Sequence, residues 1–285
     1  MDNTGNIYIS PILAWSPVSI AANYTLQVSE NNLFSTLIVN QSGITITSCP
    51  VTGLSSNKKY FWRVKAVNSY GESGWSAPAW SFTTSSMENS GAPCSGIATV
   101  VYYGKTYHTV QIGTQCWLKE NLDLGTMIPG AQEQTNNGII EKYCLNDDAN
   151  NCTAYGALYQ WNEAMGYSVV PGSKGICPEG WKIPTKEEYA VLNEIVSNNG
   201  NVLKSTGLGV GNNEGTNISG FSGLSGGTRT SAGLFANYQS AVFFWSSSES
   251  SGSSAYFRYL AYSNYFFFSN FTNKENGYSV RCIKN

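Results

Sequence analysis

Six of the seven cysteines in this 285-residue chain fall between Cys94 and Cys282, and Cys49 stands alone before them. Thiols in such number at low charge density read as an oxidised, non-cytosolic protein, so the chain beyond residue 94 is expected to be stapled. Six cysteines allow fifteen pairings. Cys144 with Cys152 would close the Leu145–Asn151 loop, and Cys94 with Cys116 would pin a hairpin. Cys177 with Cys282 would tie the middle of the segment to its last strand, closing the longest loop and mattering most to folding. Cys49 has no obvious partner nearby and reads as a free, partly buried thiol.

Charge excludes several classes of partner. Charged residues make up 12% of the chain, half the usual ~25%. Sixteen Lys and Arg against eighteen Asp and Glu give a net charge of −2, with no cationic surplus for nucleic acid. No apolar run reaches the ~20 residues of a membrane span. One His excludes multi-His metal sites, and neither a metal nor a cofactor is expected. Met1-Asp2-Asn3-Thr4-Gly5 lacks the basic and apolar regions of a secretory leader; a mature form, a trimmed form or another export route would each fit.

Residues 1–84 consist of short alternating runs separated by turn signals, the spacing of a β-sandwich. The run Tyr60–Val67 puts Tyr60, Trp62, Val64 and Ala66 on one face and turns Arg63 and Lys65 to water. With Trp15, Leu54 six positions before Tyr60, Trp75-Ser76 and Trp80–Thr84, the segment resembles a fibronectin type III domain. The resemblance implies an all-β sandwich acting as a spacer. Residues 85–93, small and polar and ending in Pro93, read as a linker.

From residue 94 to 285 the organisation changes. Thr99–Tyr103 and Thr106–Ile112 form a predicted hairpin around Gly104-Lys105. Two helices are expected. Leu158, Trp161 and Met165 recur at helical spacing from about Tyr155 to Met165. A second starts at the capping box Thr185/Glu188, buries Tyr189, Leu192 and Ile195/Val196, and stops at Asn198-Asn199-Gly200. Short strands and Gly/Ser/Asn loops follow.

Several stretches of this segment, taken in order, resemble the Fibrobacter succinogenes major paralogous domain. They are Thr109–Gly113 with Cys116–Leu122, Tyr155–Trp161, Cys177–Thr185, Phe221–Leu224, Phe244–Glu249 and Gly277–Cys282. The resemblance implies an α+β fold similar to C-type lectins and formylglycine-generating enzymes, with two helices and short antiparallel strands.

Nine of the sixteen residues in Tyr256–Phe271 are aromatic. Alternation puts Tyr256, Arg258, Leu260 and Tyr262 on one face and Phe257, Tyr259, Ala261 and Ser263 on the other. Tyr265-Phe266-Phe267-Phe268 cannot all face one core, so part of the run is expected at the surface, where exposed apolar groups mark an interface. Interleaved Ser, Asn and Tyr resemble an antibody paratope; a core strand is the alternative. The segment is also similar to the variable region of diversity-generating retroelement targets. That likeness implies fixed Trp245, Tyr256, Arg258, Leu260, Tyr262 and Lys274, and mutable, ligand-binding Phe257, Tyr259, Ala261, Ser263, Asn264, Tyr265, Phe266, Phe268, Ser269 and Phe271. Further mutable candidates are Thr230, Ala232, Leu234, Ala236, Ser250, Ser251, Ser253 and Ser254. Each mutable residue can be encoded by a codon ending in a pyrimidine, and Ser250–Asn273 contains no Lys, Glu, Gln, Trp or Met.

No Glu-Pro-Asn, Gln-Pro-Asp or Trp-Asn-Asp string of calcium-dependent lectins occurs; Trp161-Asn162-Glu163 falls on a predicted helix. Asn146–Asn150 reads as a solvated acidic turn rather than a calcium loop, and His108 as a surface residue. Cys177 and Cys282 align with structural positions, not with a reactive pair. The chain therefore reads as a non-enzymatic, displayed receptor or adhesin with an unknown protein or glycan ligand. Its place would be extracellular, on a cell surface (lipid-anchored in a full precursor) or on a phage particle. A fixed-specificity carbohydrate-binding accessory module and a formylglycine-generating-type enzyme are the alternatives.

Overall fold

A computed structural model describes residues 4–7, 11–55, 58–84 and 91–285. The chain divides into two compact units, the first made mainly of described residues 4–84 and the second of most of 91–285. Of the predicted linker 85–93, residues 85–90 lie outside the described residues.

The first unit is built from β1 (Thr4–Ile7), β2 (Ile12–Ala14), β3 (Asn23–Ser29), β4 (Leu37–Ile44), β5 (Ser48–Pro50), β6 (Lys59–Asn68), β7 (Gly71–Glu72) and β8 (Trp80–Thr84). One sheet runs β1-β8-β6-β3-β4 with β7 on β6; the other pairs β2 with β5. Strand β6 alternates as the sequence requires, with Tyr60, Trp62 and Val64 buried and Arg63 and Lys65 half-buried. Leu13 and Cys49 from the small sheet share a core with Leu26, Val28, Tyr60 and Trp62 from the large one, which makes a sandwich. Each such aliphatic side chain contributes about 1.5–3 kcal/mol. The Tyr60 hydroxyl accepts the Ser55 N–H at 2.9 Å and closes the corner after Leu54.

The second unit is mostly β. It contains β9 (Thr99–Tyr102), β10 (Lys105–Ile112), β11 (Gln115–Leu118), β12 (Thr126–Met127), β13 (Glu141–Lys142), α1 (Ala149–Tyr155), β14 (Leu158–Tyr159), α2 (Trp161–Ala164), β15 (Trp181–Lys182) and α3 (Lys186–Ile195). The chain continues through β16 (Gly226–Arg229), β17 (Phe235–Tyr238), β18 (Ala241–Ser251), β19 (Ser254–Ala261), β20 (Phe267–Asn273), β21 (Tyr278–Ser279) and β22 (Ile283–Lys284). One sheet runs β15-β22-β11-β10-β9. Another runs β14-β21-β18-β16-β17, with β19 paired to β18 and β20 to β19. The bridges are Cys94–Cys116, Cys144–Cys152 and Cys177–Cys282, and Cys49 is free and buried.

The capping box forms at α3. The Glu188 N–H donates to Thr185 Oγ1 at 3.2 Å, and the Thr185 N–H to Glu188 Oε2 at 2.9 Å. Tyr189 and Leu192 are fully buried as expected, and α3 ends at Ile195.

The first predicted helix is broken. Gly156 (φ 82°) ends α1, and a Cβ there would sit 2.4 Å from the Asn121 Cβ. Leu158 and Tyr159 then pair with Ser279 and Tyr278, and only Trp161–Ala164 is helical. Leu158, Trp161 and Met165 are all buried, so their 3.6-residue spacing met the core without a continuous helix. Among the described residues of this unit three α-helices stand where two were expected. The unexpected α1 lies in the acidic run: Asp148 accepts the Asn150 N–H at 2.9 Å as its N-cap, and Asp147 accepts the Gly130 N–H at 2.7 Å. In the hairpin, Lys105 pairs with Tyr102, so the turn is Tyr103-Gly104 (φ 47° and 73°), one position earlier than read from sequence.

Candidate functional site

The aromatic segment folds into β19, β20 and the loop between them, laid against β18. Register fixes which side chains share a face. Phe243, Tyr259 and Phe268 are cross-strand neighbours, as are Trp245 and Phe257. The opposite face carries Phe244, Arg258 and Ser269, with Leu260 beside Phe267 and Tyr256 beside Phe271. Leu260 and Phe267 are buried there, and the Phe267 ring meets Tyr189 of α3 at 5.8 Å.

Across the first face the rings form a row from core to solvent. Trp245 packs on Tyr278 at 4.5 Å, Tyr278 on Phe243 at 5.1 Å, and Phe243 on Tyr259 at 5.4 Å. Tyr259 stacks on Phe268 at 4.7 Å with the ring planes 15° apart, and Phe268 meets Phe266 edge-on at 5.6 Å. Trp245 is inaccessible, Tyr259 and Phe268 are half-buried, and Phe266 is 37% exposed. Stacked and edge-on pairs of this kind contribute about 0.5–1.5 kcal/mol each beyond area burial. The row is thus preorganised, and its outer members keep apolar surface to offer.

Two sequence-derived contact residues leave the surface. Phe257 is 6% exposed because its ring closes the core beside Trp245 and Tyr278. Tyr265 is 5% exposed; its carbonyl accepts the Gly200 N–H at 2.5 Å, which turns this part of the loop inward. Phe271 (56% exposed) and Ser269 are accessible but lie on the face opposite Tyr259 and Phe268, and Phe271 packs on Tyr256, whose ring carries the Lys186 ammonium at 4.7 Å. Ser263 is exposed, Ala261 and Asn264 are half-buried, and Asn264 Oδ1 accepts the Phe266 N–H at 2.9 Å.

Of the upstream candidates, Ala232, Leu234, Ser250, Ser251 and Ser253 are exposed, and Thr230, Ala236 and Ser254 half-buried. Asn276 joins the Thr230–Leu234 turn to β20: its Oδ1 accepts the Ser231 N–H at 2.8 Å while its Nδ2 donates to Thr272 Oγ1 at 2.9 Å. The Ser250–Ser254 turn adjoins the same end of β20, where the Lys274 N–H donates to Ser253 O at 3.0 Å. Phe266 precedes the other end, and six strand steps of ~3.3 Å separate the two ends by about 20 Å. The candidates therefore spread over an extended surface and do not line one pocket.

The floor is held by buried cations. Lys274, buried, pairs with Glu249 and lies 4.2 Å over the Trp161 ring. Arg258 donates to Phe267 O at 3.1 Å, and burial lowers its pKa. Lys204, fully buried, donates to Asn264 O at 2.6 Å and fixes the loop from beneath; burial pushes its pKa down to about 8. Sequence reading missed Phe243, Lys204 and Asn276. Phe243 sits in a continuous apolar run without alternation, and the other two hold the surface through partners distant in sequence, Asn264 for Lys204 and Ser231 for Asn276.

A cleft of about 150 Å³ lies elsewhere, lined by Lys105, Glu120, Asp123, Tyr155 and Leu224. Its two carboxylates already have partners, Asp123 in Lys105 and Lys142 and Glu120 in His108. His108 is exposed and 2.8 Å from Glu120. Among the described residues no helix is long and apolar enough to cross a membrane.

A fibronectin-type sandwich followed by a β-rich domain with three disulfides fits a modular extracellular protein. The chain belongs to the Fibrobacter succinogenes major domain family, matched over residues 110–284, and residues 10–81 match the fibronectin type III domain. Comparison with curated proteins finds no match.

Proposed function

We propose that the second domain is a non-catalytic binding head, similar in fold to C-type lectins, carried on the fibronectin type III spacer. It engages its ligand through Tyr259, Phe266, Phe268 and the small polar residues beside them, and a diversity-generating retroelement varies that surface. The partition of burial carries this reading. Of the eighteen residues assigned as mutable, all but Phe257 and Tyr265 are exposed or half-buried. Of the six assigned as fixed, Trp245, Arg258, Leu260 and Lys274 are buried, while Tyr256 is half-buried and Tyr262 exposed. Variation confined to the first set would change contact chemistry and spare most of the core.

Ring geometry favours a polypeptide ligand over a sugar. A pyranose stacks on a free aromatic face, but Tyr259 lies between Phe243 and Phe268 with a ring stacked on each side. A bridge at every cysteine of this domain supports the non-catalytic reading over a reactive-thiol enzyme.

Sequencing the codons for Thr230–Asn273, with their downstream flank, across one natural population tests the proposal. Substitutions at the named accessible positions, beside a near-copy carrying Asn codons there, are expected. An invariant segment without a near-copy would remove the diversification. For a ligand found by a separate binding screen, joint Tyr259→Ala and Phe266→Ala substitution is expected to abolish binding while the chain still folds, with stability lowered by a few kcal/mol at most for the ring pairs lost; loss of the fold would make these rings core.

A further inference from the structure

We propose that the free edge of β20 pairs with the same edge of a second copy of this chain, about a two-fold axis at Phe271. Strand β20 hydrogen-bonds to β19 alone, through seven in-register pairs without a bulge. The Lys274 N–H donates to Ser253 O, so the residues bonded to β19 alternate from Lys274 through Thr272, Asn270 and Phe268. Ser269, Phe271 and Asn273 therefore turn their backbone groups away from the sheet. The Phe271 N–H agrees with this: it donates to Asn270 Oδ1 at 2.9 Å, not to β19.

Exposed edges are usually guarded by charge, proline or a bulge. Phe267–Asn273 has no charged residue and no proline; its guards are the Asn270 amide on the Phe271 N–H and, at the far end, Asn276, whose N–H and Nδ2 donate to Asn273 O at 3.1 Å and must give way for the last pair to form. The edge is also self-complementary. With Phe271 on the axis, its N–H and C=O exchange bonds with those of the second copy's Phe271, and Ser269 faces the second copy's Asn273. The two rings, each 56% exposed in the single chain, become cross-strand neighbours. An uncharged strand meets its own copy without like-charge repulsion. The pairing goes beyond the proposed binding role and sets two ring rows side by side.

Sedimentation velocity on the full chain, from low to high micromolar, reads the outcome. A concentration-dependent dimer is expected. Phe271→Lys, which opposes two ammonium groups on the axis, and Ser269→Pro, which removes an outward N–H, should each weaken it by roughly tenfold or more. Both sites are exposed, so the melting temperature should hold. An equimolar mixture of Phe271→Lys and Phe271→Glu chains should restore the dimer, a signature of contact at the axis. A monomer throughout, a dimer indifferent to both substitutions, or a mixture that stays monomeric would overturn the pairing. None of these readouts depends on the ligand, so this proposal and the binding role fail separately.

Discussion

Replacing Lys204 by Met should remove a pH dependence that the structure builds into the second domain. Lys204 is inaccessible to solvent, and its ammonium donates to Asn201 Oδ1 and Asn213 O at 2.9 Å and to Asn264 O at 2.6 Å. All three acceptors are neutral. Burial therefore moves its pKa from 10.5 to about 8, and a shift of that size corresponds to about 3 kcal/mol. The folded pKa lies below the unfolded one, so this group's contribution is fully present above pH 10.5. It falls away as pH drops and is lost below about 8, where the buried amine is charged. At pH 7 the variant escapes that cost but leaves three acceptors short of a donor at about 1 kcal/mol each, so the two proteins should be nearly equal. At pH 10 the wild type should be more stable by about 2.5 kcal/mol. Urea unfolding at several pH values reads the difference between the proteins, in which other titrating groups cancel. Parallel stability curves would refute the argument.

Two further outcomes follow from the cysteines. Replacing Cys177 and Cys282 together by Ser opens a loop with a sequence separation of 105 and should cost about 4–5 kcal/mol in the chain-entropy model, read as a lowered unfolding midpoint of the second domain. Cys49 is buried, and desolvation raises its thiol pKa to about 11. The native chain should therefore take up no iodoacetamide at neutral pH, and denaturant should release one equivalent by mass.

The tyrosine corner at Tyr60, the inward face of β6 and the Thr185/Glu188 capping box could be read directly, because each rests on neighbours within a few residues. The Tyr155–Met165 helix could not. Its periodic residues are buried, yet Leu158 exchanges both backbone bonds with Tyr143, and Tyr159 pairs with Tyr278, more than a hundred positions away. Local spacing specifies which side chains go inside and leaves open which backbone partner they find.

The binding surface divides along the same line. Alternation along β19 assigned Phe257, Tyr259 and Ala261 to one face, and that follows from the two-residue period of an extended chain. Burial along that face does not follow from periodicity. Phe257 lies beside Trp245 and is covered, while Tyr259, two residues on, lies beside Phe243 and stays half-buried. Cys94–Cys116, Cys144–Cys152 and Cys177–Cys282, the set named from the sequence, is one of the fifteen connectivities six cysteines permit, and tertiary proximity selected it. Sequence alone determined the two-module composition, the low charge with a net of −2 and the aromatic density of Tyr256–Phe271. The tertiary structure decided which of those rings meet water, because exposure depends on what the rest of the chain stacks over each position.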